Sequence, residues 1–339
     1  MNLTIEKNCS LRAFNTFALE ACAAYFAEAR DDQAVIEAIN ESQRLGVPLR
    51  VLGGGSNVVL TRDVNALVLR MASRGIRILE DDERRVVIEA EAGEPWHPFV
   101  LHSLELGLSG LENLSLIPGT VGAAPIQNVG AYGVEIKDIF AGLTALDRHT
   151  GELVEFDMAA CEFAYRDSLF KRQADRYVIL RVRFVLARTA DLKLEYGPLR
   201  QWLQRHDVQS PTAMDVSRAV CSIRSEKLPD PKVLGNAGSF FKNPLVPQAT
   251  ADALLMQYPD LVAFAQDDGQ AKLAAGWLIE RAGWKGYRKG DVGVHRLQAL
   301  VLVNYGQATG RQVLQLAEEI TADVLERFGV RLEIEPNVI

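Results

Sequence analysis

The chain has 339 residues, 48% of them hydrophobic and 24% charged, with a formal net charge of -7. That ordinary balance excludes fibrous and largely disordered classes, and the length leads us to expect about two or three packed domains. The acidic excess offers no general field for nucleic-acid backbones or anionic membranes, so an anionic ligand has to be met by local cations.

Residues 31–45 predict an amphipathic helix with Val35, Ala38 and Ile39 on one face and Gly46 as its stop. A buried strand at 48–52, the glycine loop GGGSN at 53–57, and apolar runs at 58–60 and 66–71 then suggest a small α/β unit. Residues 84–92 read as a strand and 95–106 as a helix ending at Gly107. From 110 to 134 the glycines and prolines are too frequent for a regular element, and a long ordered loop in a compact domain is usually functional. Strands at 143–147 and 153–156, joined by a turn around Thr150 and Gly151, and a further strand at 177–186 complete a second, α+β lobe.

Thr212 with Asp215 forms a capping-box pattern ahead of a helix carrying Val216, Ala219, Val220 and Ile223, which must end before Pro229 and Pro231. Helices at 249–257 and 272–281 and a strand at 299–304 follow. A long helix at 311–328, stopped by Gly329, places Val313, Leu316, Ala317, Ile320, Val324 and Phe328 on one side. These elements suggest a division into 1–70, 71–205 and 206–330, with a terminal strand at 331–339.

Several segments carry groups suited to chemistry. GGGSN supplies successive backbone N–H groups and a hydroxyl, the requirements for cradling a phosphate, but a structural turn is the more common explanation of three glycines, and no Walker or GxGxxG motif accompanies it. The loop LIPGTVGAAPIQNVGAYGVEI adds glycines for close approach together with Gln127 and Asn128, so the two loops would suit a large phosphorylated cofactor. In YRDSLFK, Arg166 can grip a carboxylate through two parallel hydrogen bonds, or simply pair with Asp167. Arg224, Lys227, Lys232, Lys242 and Asn243 form a basic group around GNAGSFFKNP, where Ser239 follows small residues and precedes Phe240 and Phe241. Ser239 is either a turn hydroxyl or a reacting one. Glu333 and Glu335 alternate in LEIEP and would face the same side.

Cys9, Cys22, Cys161 and Cys221 contain no CxxC pair, and His97, His102, His149, His206 and His295 lack ligand spacing, so neither a disulfide framework nor a metal site is expected. Residues 1–14 lack a basic start followed by an apolar run, and no apolar stretch is long enough to cross a bilayer, which favours a cytoplasmic protein.

GGGSN, LIPGTVGAAPIQNVGAYG, YRDSLFK, KLPDP, GNAGSFFKNP and KLAAGWLIE, in this order, resemble the UDP-N-acetylenolpyruvoylglucosamine reductase family from about residue 10 to the C-terminus. The likeness is to its longer form, whose tyrosine-bearing insertion is here LEYGPL with Tyr196. It implies an α+β fold, with a two-subdomain FAD-binding module of the vanillyl-alcohol-oxidase type followed by an α/β substrate-binding domain. It also implies non-covalent FAD, NADPH as electron donor, and reduction of UDP-N-acetylglucosamine enolpyruvate to UDP-N-acetylmuramate in peptidoglycan precursor synthesis. Hydride would reach the vinyl carbon from the flavin N5, and Ser239 would give the proton.

By the same resemblance Arg166 binds the substrate carboxylate and Glu335 assists there. LEIEP departs from the common LEPEV ending, which leaves Glu333 open as the alternative. Residues implied for FAD are Gly53, Gly54, Gly55, Ser56, Asn57, Pro118, Gly119, Gly122, Ala123, Ala124, Gln127, Asn128, Gly130 and Tyr132. For substrate they are Tyr165, Tyr196, Arg224, Lys227, Asn243 and Gln298. A monomer with no nucleic-acid or membrane partner is expected. Two other readings are a flavin oxidase on the same cofactor fold, whose relatives often tether flavin through a histidine that GGGSN lacks, and a nucleotide-sugar binder without redox activity.

Overall fold

The computed structural model describes residues 3–189, 191–266 and 268–339. Packing gathers them into two compact units that interleave along the chain: the first holds the residues up to Cys9, Ala23–Gly55 and Val64–Glu226, the second Ser10–Cys22, Ser56–Asp63 and Lys227–Ile339.

In the first unit the helix Asp32–Leu45 is opened by Asp31, whose carboxylate accepts the Ala34 N–H, and closed by Gly46 in the left-handed region at φ 65°. Its buried Val35, Ala38 and Ile39 pack on Ala27, Ala29, Leu67, Leu69 and Met71. Those residues belong to a four-stranded sheet in the order Glu6–Ser10, Cys22–Ala29, Val64–Met71, Leu49–Leu52, the last three pairing in parallel. The strand expected as buried at 48–52 is an edge strand, Leu49–Leu52, with Arg50 and Val51 exposed. An edge has only one covered side, so apolar content overstated its burial.

The second sheet of this unit is antiparallel, in the order Leu153–Phe156, Phe140–Asp147, Tyr177–Ala187, Arg85–Glu91, Ile76–Asp81. Ile76–Asp81 escaped the sequence reading because it is a charged, largely exposed edge with no apolar alternation. The helix Trp96–Glu105 covers the sheet through Trp96 and Phe99, which meet Phe184 at ring-centroid distances of 5.9 and 5.2 Å. Residues 110–134 form three short 3-10 turns and a Gly130–Ala131/Val134–Glu135 ladder, as their glycines and prolines dictate. Helices Gly197–Arg205 and Ala213–Lys227 share a cluster of Leu199, Leu203, Val216, Ala219, Val220 and Ile223. The predicted Thr212–Asp215 cap is reciprocal, Thr212 Oγ1 accepting the Asp215 N–H while the carboxylate accepts the Thr212 N–H.

The second unit contains an antiparallel sheet ordered Gly235–Asn236, Leu302–Asn304, Val292–Val294, Arg288–Lys289, and a smaller one ordered Leu245–Pro247, Gln270–Leu273, Ala263–Ala265. The helix expected to start at Lys272 begins at Ala275 instead. Before it, Ala271 and Leu273 are buried at alternate positions, and that period of two makes Gln270–Leu273 a strand. The long helix is Gly310–Phe328, opened by a Thr309–Gln312 capping box, and all six predicted inward residues are buried. No helix of the described residues is long and apolar enough to cross a membrane.

Candidate active site

The two glycine loops of the first unit approach backbone to backbone. A Cβ placed on Gly54 would lie 2.7 Å from Gly119 Cα, and one on Gly53 would lie 2.7 Å from Thr120 Oγ1. Gly122 has the same constraint, since a Cβ there would meet the Ala92 Cβ at 2.4 Å. Backbone contact therefore requires glycine at Gly54 and Gly122, while at Gly53 the obstacle is the Thr120 hydroxyl. The second loop is fixed from behind: Trp96 N–H donates to Gly119 O, Val121 N–H to Glu94 O and Gly122 N–H to Ala92 O. Thr120 Oγ1 is buried without a hydrogen-bond partner among the described residues. Thin backbone, held rigidly and lined by a buried hydroxyl seeking a partner, fits the pyrophosphate and ring edges of FAD. Ala123, Ala124 and Gln127 lie in the two turns that follow, and Pro118 directly precedes Gly119.

YRDS is stitched to this second loop by three hydrogen bonds. Asn128 Nδ2 donates to Ala164 O at 3.2 Å, Arg166 Nη2 to Gly130 O at 3.1 Å, and Ser168 Oγ to Ile126 O at 2.6 Å. Asn128 is fully buried, its Nδ2 also meeting Glu135 and its Oδ1 accepting the Lys137 N–H. Its side chain thus holds the loop together, and any contact with cofactor falls to its backbone. Arg166 sits in the left-handed region at φ 54°, a strained setting for a non-glycine residue, with its guanidinium 5.5 Å from the Tyr165 ring. Asp167, the alternative partner, is engaged by Arg172 instead.

Arg224, from helix Ala213–Lys227, carries a buried Nε that has no partner among the described residues, and Tyr132 is near enough to act on its charge. Burial holds this cation below its ordinary pKa, the Tyr132 interaction partly offsetting it. The Tyr132 ring also packs edge-on against Tyr196 at 5.0 Å, and burial raises both hydroxyls. His97 accepts the Leu116 N–H at Nδ1, 3.0 Å away; burial and then the Arg224 charge hold its pKa low. Arg224 therefore lies in the unit that holds the glycine loops, whereas the sequence grouped it with Lys227 to Asn243.

In the second unit GNAGSFFKNP is shaped by contacts far away in sequence. Gly235 has room only for hydrogen, since a Cβ would stand 2.3 Å from Phe17 O. Asn236 is buried; its Nδ2 donates to Pro229 O and Leu234 O and its Oδ1 accepts the Gly238 N–H. Gly238 turns the chain at φ 71° and delivers Ser239, half-buried, just before Phe240 and Phe241, which are buried almost completely. Phe240 N–H donates to Leu300 O, and Phe240 O accepts the Glu335 N–H at 2.8 Å. Lys242 N–H in turn donates to Glu333 O, so 240–242 pairs antiparallel with 333–335 about the Phe241–Ile334 bridge.

The two candidate carboxylates differ in their surroundings. Glu333 is exposed and salt-bridged to Lys242 at 3.0 Å, while Glu335 is half-buried and pairs with Phe240. Asn57, from GGGSN, braces the same strand: its Nδ2 donates to Glu335 O and its own carbonyl accepts the Asn337 N–H. Ser56 and Asn57 thus fold with the second unit and Gly53 to Gly55 with the first. Asn243 Oδ1 accepts the Ala275 N–H, Gln298 Oε1 accepts the Leu300 N–H, and Lys227 is exposed. Sequence reasoning missed Asn113, Thr120 and Asn236, each a single polar residue inside a stretch read for its glycines; the only available signal was a short amide or hydroxyl beside a breaker.

A family model described as an FAD binding domain matches residues 23–157, and one described as the UDP-N-acetylenolpyruvoylglucosamine reductase C-terminal domain matches residues 230–339. UDP-N-acetylenolpyruvoylglucosamine reductases from Pseudomonas fluorescens strain Pf0-1 and Chromobacterium violaceum are 67% and 52% identical to this chain, and each match covers 99% or more of both sequences. The crystal structure of the Thermus caldophilus reductase superposes with a TM-score of 0.68 at 24% identity, covering 100% of this chain and 99% of that one, which bears on the fold. With family models matching an FAD-binding domain and the reductase C-terminal domain, and full-length identity of this order, the chain belongs to the UDP-N-acetylenolpyruvoylglucosamine reductase family.

Proposed function

We propose that Ser239, Arg166 and Glu335 carry the chemistry of a flavin-dependent reductase that converts UDP-N-acetylglucosamine enolpyruvate to UDP-N-acetylmuramate. FAD, held non-covalently at the loops of Gly53–Gly55 and Pro118–Tyr132, supplies the hydride for the vinyl carbon, with NADPH as the ultimate donor. Hydride arrival there leaves negative charge on the carbon beside the carboxylate, so the protein must disperse that charge and then protonate the carbon. Arg166 disperses it through a bidentate grip on the carboxylate, a role its strained backbone and its tether to Gly130 favour. Ser239 Oγ passes its proton to that carbon, and Glu335 assists at the carboxylate end.

What supports this reading is the Phe240–Glu335 main-chain bond, which pairs the half-buried Glu335 with the residue that follows Ser239 in sequence, while Glu333 is exposed and salt-bridged to Lys242. Tyr165, Tyr196, Arg224, Lys227, Asn243 and Gln298 are the proposed substrate contacts. A cytoplasmic location and a monomeric state belong to the same proposal.

Ser239→Ala tests the assignment. The variant should remain yellow and take electrons from NADPH at the normal rate, yet turn over the enolpyruvyl substrate roughly 10²–10⁴ times more slowly, the usual loss with a proton donor. Unchanged turnover rejects Ser239 as the donor.

A further inference from the structure

Tyr196 and the second glycine loop are joined by a residue that the proposed mechanism does not use. Asn113, in the Glu112–Leu114 turn, is only 1% exposed. Its Nδ2 donates to Tyr132 O at 2.8 Å and to Lys193 O at 2.9 Å. Both partners are carbonyls, so the amide has one possible orientation and both of its N–H groups are used. Its Oδ1 is buried with no hydrogen-bond partner among the described residues. A buried amide that leaves its own oxygen unsatisfied is held by its two donor bonds alone.

Those bonds join two segments that also meet elsewhere. Tyr132 lies at the tip of the second glycine loop, and Lys193 lies in the stretch leading to Tyr196. On either side of Lys193, Leu192 and Leu194 pack on the cluster of helices Gly197–Arg205 and Ala213–Lys227, as does Tyr132 itself. The Tyr196 ring, 44% exposed, then rests edge-on against the Tyr132 ring. Main chain and side chain of Tyr132 thus each contact the tyrosine-bearing segment, one through Asn113 and the other directly.

We propose that Asn113 is a positioning residue that ties residues 191–196 to the Tyr132 turn and so presents Tyr196 to the nucleotide part of the substrate. This rests on the substrate role proposed for Tyr196. Asn113→Asp, in the FAD-loaded enzyme, replaces both donors with oxygen at constant size. The KM for UDP-N-acetylglucosamine enolpyruvate should rise roughly tenfold, flavin reduction by NADPH should stay within about twofold, and amide exchange should quicken in residues 191–196.

In a Tyr196→Ala background the same substitution should add less than about twofold, because two residues acting through one contact are not additive. A full additional tenfold loss there overturns the proposal, as does wild-type exchange in a correctly folded Asn113→Asp. Unchanged substrate affinity in Tyr196→Ala alone refutes the role of Tyr196, while faster exchange in Asn113→Asp still upholds the tie. If Asn113→Asp loses its flavin, Asn113→Ser removes the same donors without adding charge and is judged by the same readings.

Discussion

Gly54→Ala isolates the approach of the two glycine loops. Gly54 has no left-handed φ, so alanine brings no backbone strain of its own, only one methyl group. That methyl would sit 2.7 Å from Gly119 Cα and 3.2 Å from Gly119 C, whereas carbon atoms pack at about 3.5 Å or more. The two backbones must therefore separate by on the order of 0.8 Å. Gly119 cannot give way freely, because its carbonyl accepts the N–H of the buried Trp96. Overpacking of this kind costs about 1–3 kcal/mol, which for a chain of this size lowers Tm by several degrees. If the paired loops form the flavin cradle, the loss falls on FAD binding as well, and each 1.4 kcal/mol weakens Kd about tenfold. Titration of apoprotein with FAD by fluorescence quenching, beside a thermal melt, measures both. Gly197→Ala is the control: a Cβ there meets nothing within 4 Å and φ is not left-handed, so FAD affinity should stay at wild type and Tm should hold or rise slightly. If Gly54→Ala binds FAD with wild-type affinity and melts normally, the close approach is not what makes the site.

The two terminal carboxylates should separate cleanly. Glu335→Gln is expected to cut substrate turnover by roughly 10²–10⁴-fold, whereas Glu333→Gln, which breaks only an exposed ion pair with Lys242, should shift stability by less than about 1 kcal/mol and kcat by less than about twofold; the opposite pattern would move the role to Glu333. A third prediction concerns pH. The unfolded His97 takes a proton near the ordinary value of about 6.5, while the folded one, desolvated and facing Arg224, resists it. The unfolded state therefore binds more protons in the window from the lowered pKa up to about 6.5, so stability rises with pH across that window and is lost as pH falls through it. Burial depresses His295 in the same direction, so His97→Gln should remove only part of the slope in denaturant midpoint measured from about pH 5 to 7.5. An identical slope in that variant would exclude His97 as a contributor.

Local rules were enough for the helices with strong ends. Asp31 and Gly46, Thr212 and Asp215, and the stop at Gly329 all act within a turn of the residues they cap, and the buried stripe of Gly310–Phe328 needs only its own periodicity. Failures came where the deciding neighbour was remote. Ile76–Asp81 is an edge strand exposed on both faces, so no buried set of alternate residues marks it, and Lys272 and Leu273, the end of strand Gln270–Leu273, were read into the following helix because a short apolar run fits either period.

The site divides along the same line. Read by itself, the sequence determined the family, the two flavin-type loops, and the presence of a serine, an arginine and a terminal glutamate in suitable surroundings, since ordered motifs and residue chemistry are written locally. Tertiary structure alone decided that Gly54 needs its hydrogen because of Gly119, that Arg224 keeps company with Tyr132, and that GGGSN divides between the two units. It also gave Glu333 to Lys242 and paired Glu335 with Phe240, surroundings that alternation in LEIEP does not record. The physical reason is common to all of these: a clash, a buried charge or a strand register depends on which distant backbone arrives, and residues adjacent in sequence do not record that.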